Sequence, residues 1–245
     1  MPGRTILIGD VHGCLRELEA LLAELRPGKT DTVWFLGDLV DRGPDSAGVM
    51  RRVRSLGAGL VLGNHDEKHV RYRRHLARRA AEPDYRIPMS PSEHFLEVHR
   101  SLSEEDVAWL AQAPVVVRLS DAWVLVHGGL MPGRPLGRPL RPLNLRYLHR
   151  RTGRALSLEE ANASPADAIH WSDRWRGPWR VAYGHDAQPE AVARRLTLGI
   201  DTGLVYGGKL TAAVLDSLDR DAQPRLVQVK AERVWHEHPR WAGED

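Results

Sequence analysis

Three short apolar runs open the chain, and each stops on a glycine followed by Asp or Asn: TILIGD (5–10), TVWFLGD (32–38) and GLVLGNHD (59–66). Runs this short, bounded by turn residues, predict buried strands. After the first, Leu15, Leu18, Leu21, Leu22 and Leu25 recur at helical spacing. After the second, Pro44 and Asp45 open a helix carrying Val49, Met50 and Val53, which Gly57 ends. Asp45 reads as a residue that stabilises the helix N-terminus. Strand, helix, strand, helix, strand with short connections predicts an α/β fold with a parallel sheet and right-handed crossovers. In such sheets ligands lie beyond the carboxyl ends of the strands.

The pattern changes between Glu67 and about Gln112 to charged helices, interrupted at Pro83, Pro88 and Pro91. PVVVRLSDAWVLVHGG (114–129) reads as two strands joined at Ser120-Asp121, the second ending on glycines after His127. Residues 131–165 are loop-rich, with Pro132, Pro135, Pro139 and Pro142 ahead of a short helix near Leu158. Strands return at RVAYGH (180–185), LTLGID (196–201), LTAAVLD (210–216) and RLVQVKA (225–231). The expectation is one domain over residues 1–245 with cap-like insertions at about 67–112 and 131–170.

Composition narrows the function classes. The 245 residues are 42% hydrophobic and 27% charged, an ordinary globular balance with material for a substantial core. The apolar runs are too short to cross a bilayer, and no signal-peptide pattern precedes the first strand. Cys14 is the sole cysteine, which excludes an intrachain disulfide; it reads as a small packed residue at a helix start. These features predict a cytoplasmic protein that does not engage a membrane. A net charge of +3 suits an anionic substrate but does not argue for nucleic acid. No basic strand interleaved with aromatics, the pattern of single-strand binders, is present.

Five segments carry the chemistry: GDVHG (9–13), GDLVDRG (37–43), GNHD (63–66), HGG (127–129) and GH (184–185). Each brings Asp, Asn or His, which bind divalent metals, to a predicted strand end. Mixed carboxylate and imidazole donors favour a borderline cation such as Mn, Fe, Zn or Co. There are more candidate ligands than one ion needs, which points to two ions about 3.5–4 Å apart sharing a carboxylate. Without metal, so many polar groups stacked at one sheet edge would cost several kcal/mol.

In this order the five segments resemble the calcineurin-like metallophosphoesterases, specifically the phosphoprotein phosphatase branch, and IDTGLVYGGKLTA (200–212) extends the likeness to small bacterial members. The resemblance implies a four-layer α/β/β/α sandwich with an inserted helical and loop cap. It implies two divalent ions, manganese first, with Fe, Zn, Co or Ni as alternatives. Asp10 and His12 would bind the first ion, Asp38 both, and Asn64, His127 and His185 the second. His65 would be the general acid, oriented by Asp41, and Arg42 would grip the phosphoryl oxygens while a metal-bridging hydroxide attacks in line. HWSDRWRG (170–177) is similar to a Trp-Ser-Asp segment of protein phosphatases, which makes Arg174 or Arg176 a second phosphate contact. Asp66 and Asp201 are candidates for groups just behind the ligands, or for a helix cap and a turn. Lys68, Arg71, Arg74 and Arg78 share a helix face that either steers polyphosphate or is simply solvated.

The resemblance implies a phosphorylated small molecule or a phosphoprotein as the substrate. GDVHGCLRELEALL, GNHD and IDTGLVYGGKLTA look closest to symmetrical dinucleoside tetraphosphate hydrolases and to the phosphatase module of polynucleotide repair enzymes. VDRG departs from many tetraphosphatases, which place Ala at the position of Asp41, and is shared with the protein phosphatases and the repair module. The expectation is diadenosine tetraphosphate first, with phosphoprotein as the runner-up. A polynucleotide phosphatase and a non-catalytic scaffold on the same fold rank behind both.

Overall fold

A computed structural model describes residues 3–136 and 143–237 of the chain, so Pro139 and Pro142 lie outside the described residues. The chain begins with β1 (Thr5–Ile8), α1 (Leu15–Leu25), β2 (Thr32–Phe35), α2 (Ser46–Ser55) and β3 (Gly59–Leu60). The helices α3 (Asn64–Ala81), α4 (Glu93–Ser101) and α5 (Glu104–Leu110) follow, then β4 (Val116–Arg118) and β5 (Trp123–Val126). Next come β6 (Tyr147–His149), β7 (Ala155–Leu156), α6 (Leu158–Ala163), β8 (Ala168–His170) and α7 (Trp171–Arg174). The last strands are β9 (Arg180–Tyr183), β10 (Val192–Ala193), β11 (Thr197–Gly199), β12 (Asp201–Thr202), β13 (Lys209–Leu215) and β14 (Arg225–Lys230).

Local chemistry accounts for the first crossover. The Asp31 carboxylate takes the Arg4 backbone N–H at 2.8 Å, the Arg4 guanidinium at 2.6 Å and the Gly28 N–H at 2.9 Å. It thereby pins the starts of β1 and β2, which run parallel with Thr5 opposite Thr32. Asp45 caps α2 as expected, its carboxylate accepting the Gly48 N–H at 2.7 Å. The third predicted strand is shorter than its apolar run: α3 already starts at Asn64, because the Asp66 carboxylate folds back onto the Gly63 N–H at 3.1 Å.

Two sheets result. The first has the order β12-β13-β1-β2-β3, with β14 also paired to β13; the second is β10-β11-β9-β5-β4. β1, β2 and β3 are parallel, while β13 joins β1 antiparallel and makes the first sheet mixed. Alternation along each strand sorts side chains into layers. Ile6, Ile8, Phe35, Ala212 and Val214 pack with Leu18, Leu21, Val49 and Val53 of the helices. Leu7, Leu36, Ala213 and Leu215 face Trp123, Leu125, Ala182 and Leu198 of the second sheet. Val124, Val126, Val181 and Tyr183 point the other way, onto Leu145, Leu148, Trp171 and Trp175. The fold is therefore a mixed α/β sandwich of helices, two facing sheets and an outer layer. That outer layer holds α6, the short helix expected near Leu158, with α7 and a small sheet, β7-β6-β8, of which β6 and β7 lie within the segment read as loop-rich. The run at 196–201 is split: β11 pairs in the second sheet, and after Ile200 β12 pairs in the first. Among the described residues no helix is long and apolar enough to cross a membrane.

The packing predicts that Leu125→Ala, emptying the space between the sheets, lowers unfolding free energy by about 2–5 kcal/mol. Leu226→Ala, at a side chain 41% exposed, shifts it by less than about 0.5 kcal/mol; urea unfolding midpoints measure both. Hydrogen bonds from Arg4, then from the Gly28 N–H, hold the Asp31 carboxyl below its ordinary range. A depressed folded-state pKa means a contribution complete above the ordinary value, about 4, and lost as pH falls through the folded value. Asp31→Asn is accordingly less stable than wild type at pH 7, and the gap narrows on acidification below pH ~4.

Candidate active site

The strand-end loops are laced together by their own backbone. Val11 and His12 donate to the Asp38 carbonyl at 3.1 and 2.9 Å, and Gly13 donates to that of Leu39 at 2.8 Å. The Asp66 carboxylate accepts N–H groups from Asp38 (2.9 Å), Leu39 (3.0 Å) and Gly63 (3.1 Å). Gly184 donates to the His127 carbonyl at 2.9 Å, and the His185 N–H reaches the Asp10 carboxylate at 3.1 Å. A Cβ on Gly184 would stand 2.1 Å from Asp10 Oδ1, so only glycine allows this approach. Among the described non-glycine residues, positive φ occurs at His12 (47°), Asp38 (51°), Asp41 (70°), Arg42 (67°) and His185 (69°), and otherwise only at Arg26, past the end of α1. Left-handed backbone at such residues costs about 1–3 kcal/mol each, and strain of this kind clusters where side chains must be aimed.

The aimed side chains converge on Asp38. Its carboxylate accepts the His65 backbone N–H at 2.9 Å and lies 3.3 Å from His127 Nε2 and 3.6 Å from His12 Nε2. Two trios of donor atoms, each within 4.8 Å of one another, share it: His12, Asp38 and His65, and Asp38, His127 and His185. Backbone carbonyls fix the imidazole tautomers. His12 Nδ1–H donates to Val40 at 2.9 Å and His127 Nδ1–H to Leu36 at 2.8 Å, leaving each Nε2 turned inward. Asn64 Oδ1 stands 3.0 Å from His127 Nε2. Asp10 belongs to neither trio, its carboxylate being turned to the His185 N–H.

Burial and neighbours set the electrostatics. Burial pushes the Asp38 carboxyl up, but His127, His65 and His12 outweigh it and hold it well below the usual range. Burial lowers His127, but the charge and hydrogen bond of Asp38, with the charge of Asp10, together outweigh it and raise it to about 9. Burial, then Asp201, drives the Asp10 carboxyl well up. His12 falls to about 3 through burial and the charge of Arg42. His185 is lowered by burial, then by Arg146.

His185 Nε2 is buried without a hydrogen-bond partner among the described residues, an orphan that costs about 1–3 kcal/mol unless something satisfies it. A cation would do so, and the anionic pull that raises His127 acts on any positive charge. The donor set, imidazole nitrogens around a shared carboxylate, fits borderline divalent ions.

Beside the trios, Asp41 accepts from His65 Nδ1 at 2.7 Å and from His69 Nε2 at 2.8 Å. These bonds outweigh burial and keep its carboxyl below the usual range. Arg42 Nη1 lies 3.1 Å from His12 Nε2 and also donates to the Tyr206 hydroxyl. Arg174 and Arg176 are not brought to this centre. Arg174 donates to the Arg150 carbonyl at 2.7 Å, and the exposed Arg176 donates to carbonyls of its own turn, Asp173 (2.8 Å) and Trp175 (2.9 Å). Arg146 sits there instead, bonded to the His185 carbonyl at 2.9 Å and paired with Asp186 at 3.1 Å.

The sequence reading missed Arg146, His69 and Tyr206. Arg146 follows the proline-rich stretch, His69 lies inside a charged helix, and Tyr206 lies within IDTGLVYGGKLTA, where Asp201 alone drew a candidate role. Asp201 is buried, accepts the Gly203 N–H at 3.0 Å and has its carboxyl raised to about 6 by burial. On the basic face of α3, Arg71 pairs with Glu67 and Arg78 with Glu82, and the Lys68 ammonium lies over the Phe95 ring. Cys14 is buried, and burial raises its thiol.

The family model described as calcineurin-like phosphoesterase matches residues 3–222. A symmetrical bis(5'-nucleosyl)-tetraphosphatase of Pectobacterium carotovorum is 41% identical over 132 residues, 52% of this chain and 44% of that protein. The one from Edwardsiella ictaluri is 42% identical over 133 residues, again 52% and 44%. The matched stretch thus spans less than half the length of these curated relatives. A crystal structure provisionally named a diadenosine tetraphosphatase superposes with a TM-score of 0.75 at 31% identity, covering 94% of this chain and 96% of that one. Loops, donor set and matched segments agree on one lineage: the chain belongs to the calcineurin-like phosphoesterase family.

Proposed function

We propose that the chain is a dinuclear-metal phosphohydrolase whose substrate is a symmetrical dinucleoside tetraphosphate such as diadenosine tetraphosphate. The observation that carries this reading is the pair of donor trios meeting on Asp38, with inward Nε2 atoms on His12 and His127 and an unsatisfied one on His185. The names of the curated relatives support the substrate. Asp10, His12 and Asp38 would hold one divalent ion, manganese by preference, and Asp38, Asn64, His127 and His185 the other. Two such ions lower the pKa of a bound water and draw off charge from phosphoryl oxygens.

The remaining roles fall to the chain's own groups. Arg42 offers planar donors to the phosphoryl oxygens, its guanidinium fixed by Tyr206. Arg146, carried next to His185, takes the part assigned in sequence to Arg174 or Arg176. Asp41 accepts from His65 Nδ1, so His65 presents Nε2 as the acid that protonates the leaving oxygen. Segments 67–112 and 131–170 select the substrate. Phosphoprotein hydrolysis is the second reading, favoured by the Asp41–His65 pair, which VDRG shares with protein phosphatases.

Calorimetric titration with Mn is expected to show two bound equivalents in wild type and loss of binding in Asp38→Asn. Removing the partner of a metal ligand typically costs 10–100-fold, so the shared ligand itself should cost more than about 100-fold in kcat. Wild type that binds no divalent ion overturns the metal assignment. With Mn supplied, kcat/KM should be higher for diadenosine tetraphosphate than for a phosphoserine peptide; the reverse order establishes the second reading. His65→Gln should lower kcat by about 100- to 10,000-fold.

A further inference from the structure

His69 is a fully buried histidine to which the proposed chemistry gives no part. It lies on α3, one turn beyond His65, and its Nε2 is 2.8 Å from Asp41 Oδ1. The other Asp41 oxygen, Oδ2, holds His65 Nδ1 at 2.7 Å. An ionised carboxylate only accepts, so both nitrogens facing Asp41 carry their hydrogens. The aspartate is clamped between two imidazoles, one lining the candidate active site and one in the interior. His69 is itself held from behind. Its ring stacks on Phe95 with centroids 4.2 Å apart, and its Nδ1 lies 3.1 Å from Nδ1 of His99. One hydrogen occupies that contact, so whichever ring carries it, His99 fixes the plane of His69. Both Phe95 and His99 come from α4.

We propose that His69 is a positioning residue for phosphoester cleavage, locking Asp41 so that His65 presents Nε2 to the leaving oxygen. The inference rests on the reading of His65 as the acid. In the step it serves, a water oxygen forms a new bond to phosphorus and releases its proton to solvent. The old P–O bond breaks, its electron pair stays on the leaving oxygen, and that oxygen takes the proton from His65 Nε2. Without His69, Oδ1 of Asp41 loses its donor and the carboxylate turns about its Cβ–Cγ bond. A displacement of 1 Å at a reacting group is enough to cost about 100-fold.

The test compares phenyl phosphate, whose leaving oxygen needs a proton, with 4-nitrophenyl phosphate, whose leaving oxygen departs readily without one. His69→Leu is expected to lower kcat on phenyl phosphate at least about 10-fold more than on 4-nitrophenyl phosphate, within the range of lost acid catalysis. His69→Gln, whose amide nitrogen stands where Nε2 does, should restore the wild-type ratio. Equal losses on the two esters, or a leucine variant with the wild-type ratio, overturns the proposal. If His69→Leu does not fold, His69→Asn, whose shorter amide does not reach Asp41, takes its place under the same criteria. His65→Gln is the control: if it leaves the ratio unchanged, the acid reading fails and this inference with it. A changed ratio in His65→Gln but not in the His69 variants removes the inference alone.

Discussion

Three backbone N–H groups from two loops end on one buried carboxylate, that of Asp66. That interaction joins the turn after β2 to the first turn of α3, and Asp38 and His65 take their places from it. Burial and the nearby Asp38 charge raise the Asp66 carboxyl to about 7, while its donors and its place at a helix N-terminus favour the charged form. Asp38 in turn accepts the His65 N–H. Backbone hydrogen bonding, rather than side-chain packing, sets the distance between the Asp38 carboxylate and His65.

The same economy explains where the backbone is strained. His12, Asp38, Asp41, Arg42 and His185 hold left-handed conformations that short turns normally reserve for glycine. Each follows a strand that is wholly or partly buried in the sandwich, and interlocked carbonyls and carboxylates hold the turns against relaxation. The stability of the two apolar interfaces offsets conformations that would be unfavourable in isolation.

Much of this was legible in the residues. Apolar runs ending on Gly-Asp, Gly-Asn and Gly-His marked the strand ends, because a strand that turns sharply into a loop needs both a permissive residue and a polar one. Leucines at helical spacing placed α1, and Asp45 placed the start of α2. The small sheet β7-β6-β8 was not legible, since strands of two or three residues carry no measurable period. Nor was the passage of the chain between sheets at Ile200, within one apolar run. Arg176 was taken from a local pattern, whereas Arg146 reaches His185 from 39 positions away, and nothing in its neighbours announces the pairing. His69 and His99 looked like ordinary members of charged helices, since a stack between α3 and α4 depends on tertiary docking.

The antiparallel partner of the first strand has a consequence for how the chain is made. Thr5 lies opposite Leu215, and Ile8 opposite Ala212. During synthesis β1 must wait, with one edge unmatched, until some two hundred more residues have left the ribosome. Pairing so distant in sequence is slow and leaves an adhesive border open to other chains. The nascent polypeptide therefore carries an unpaired strand edge until β13 emerges.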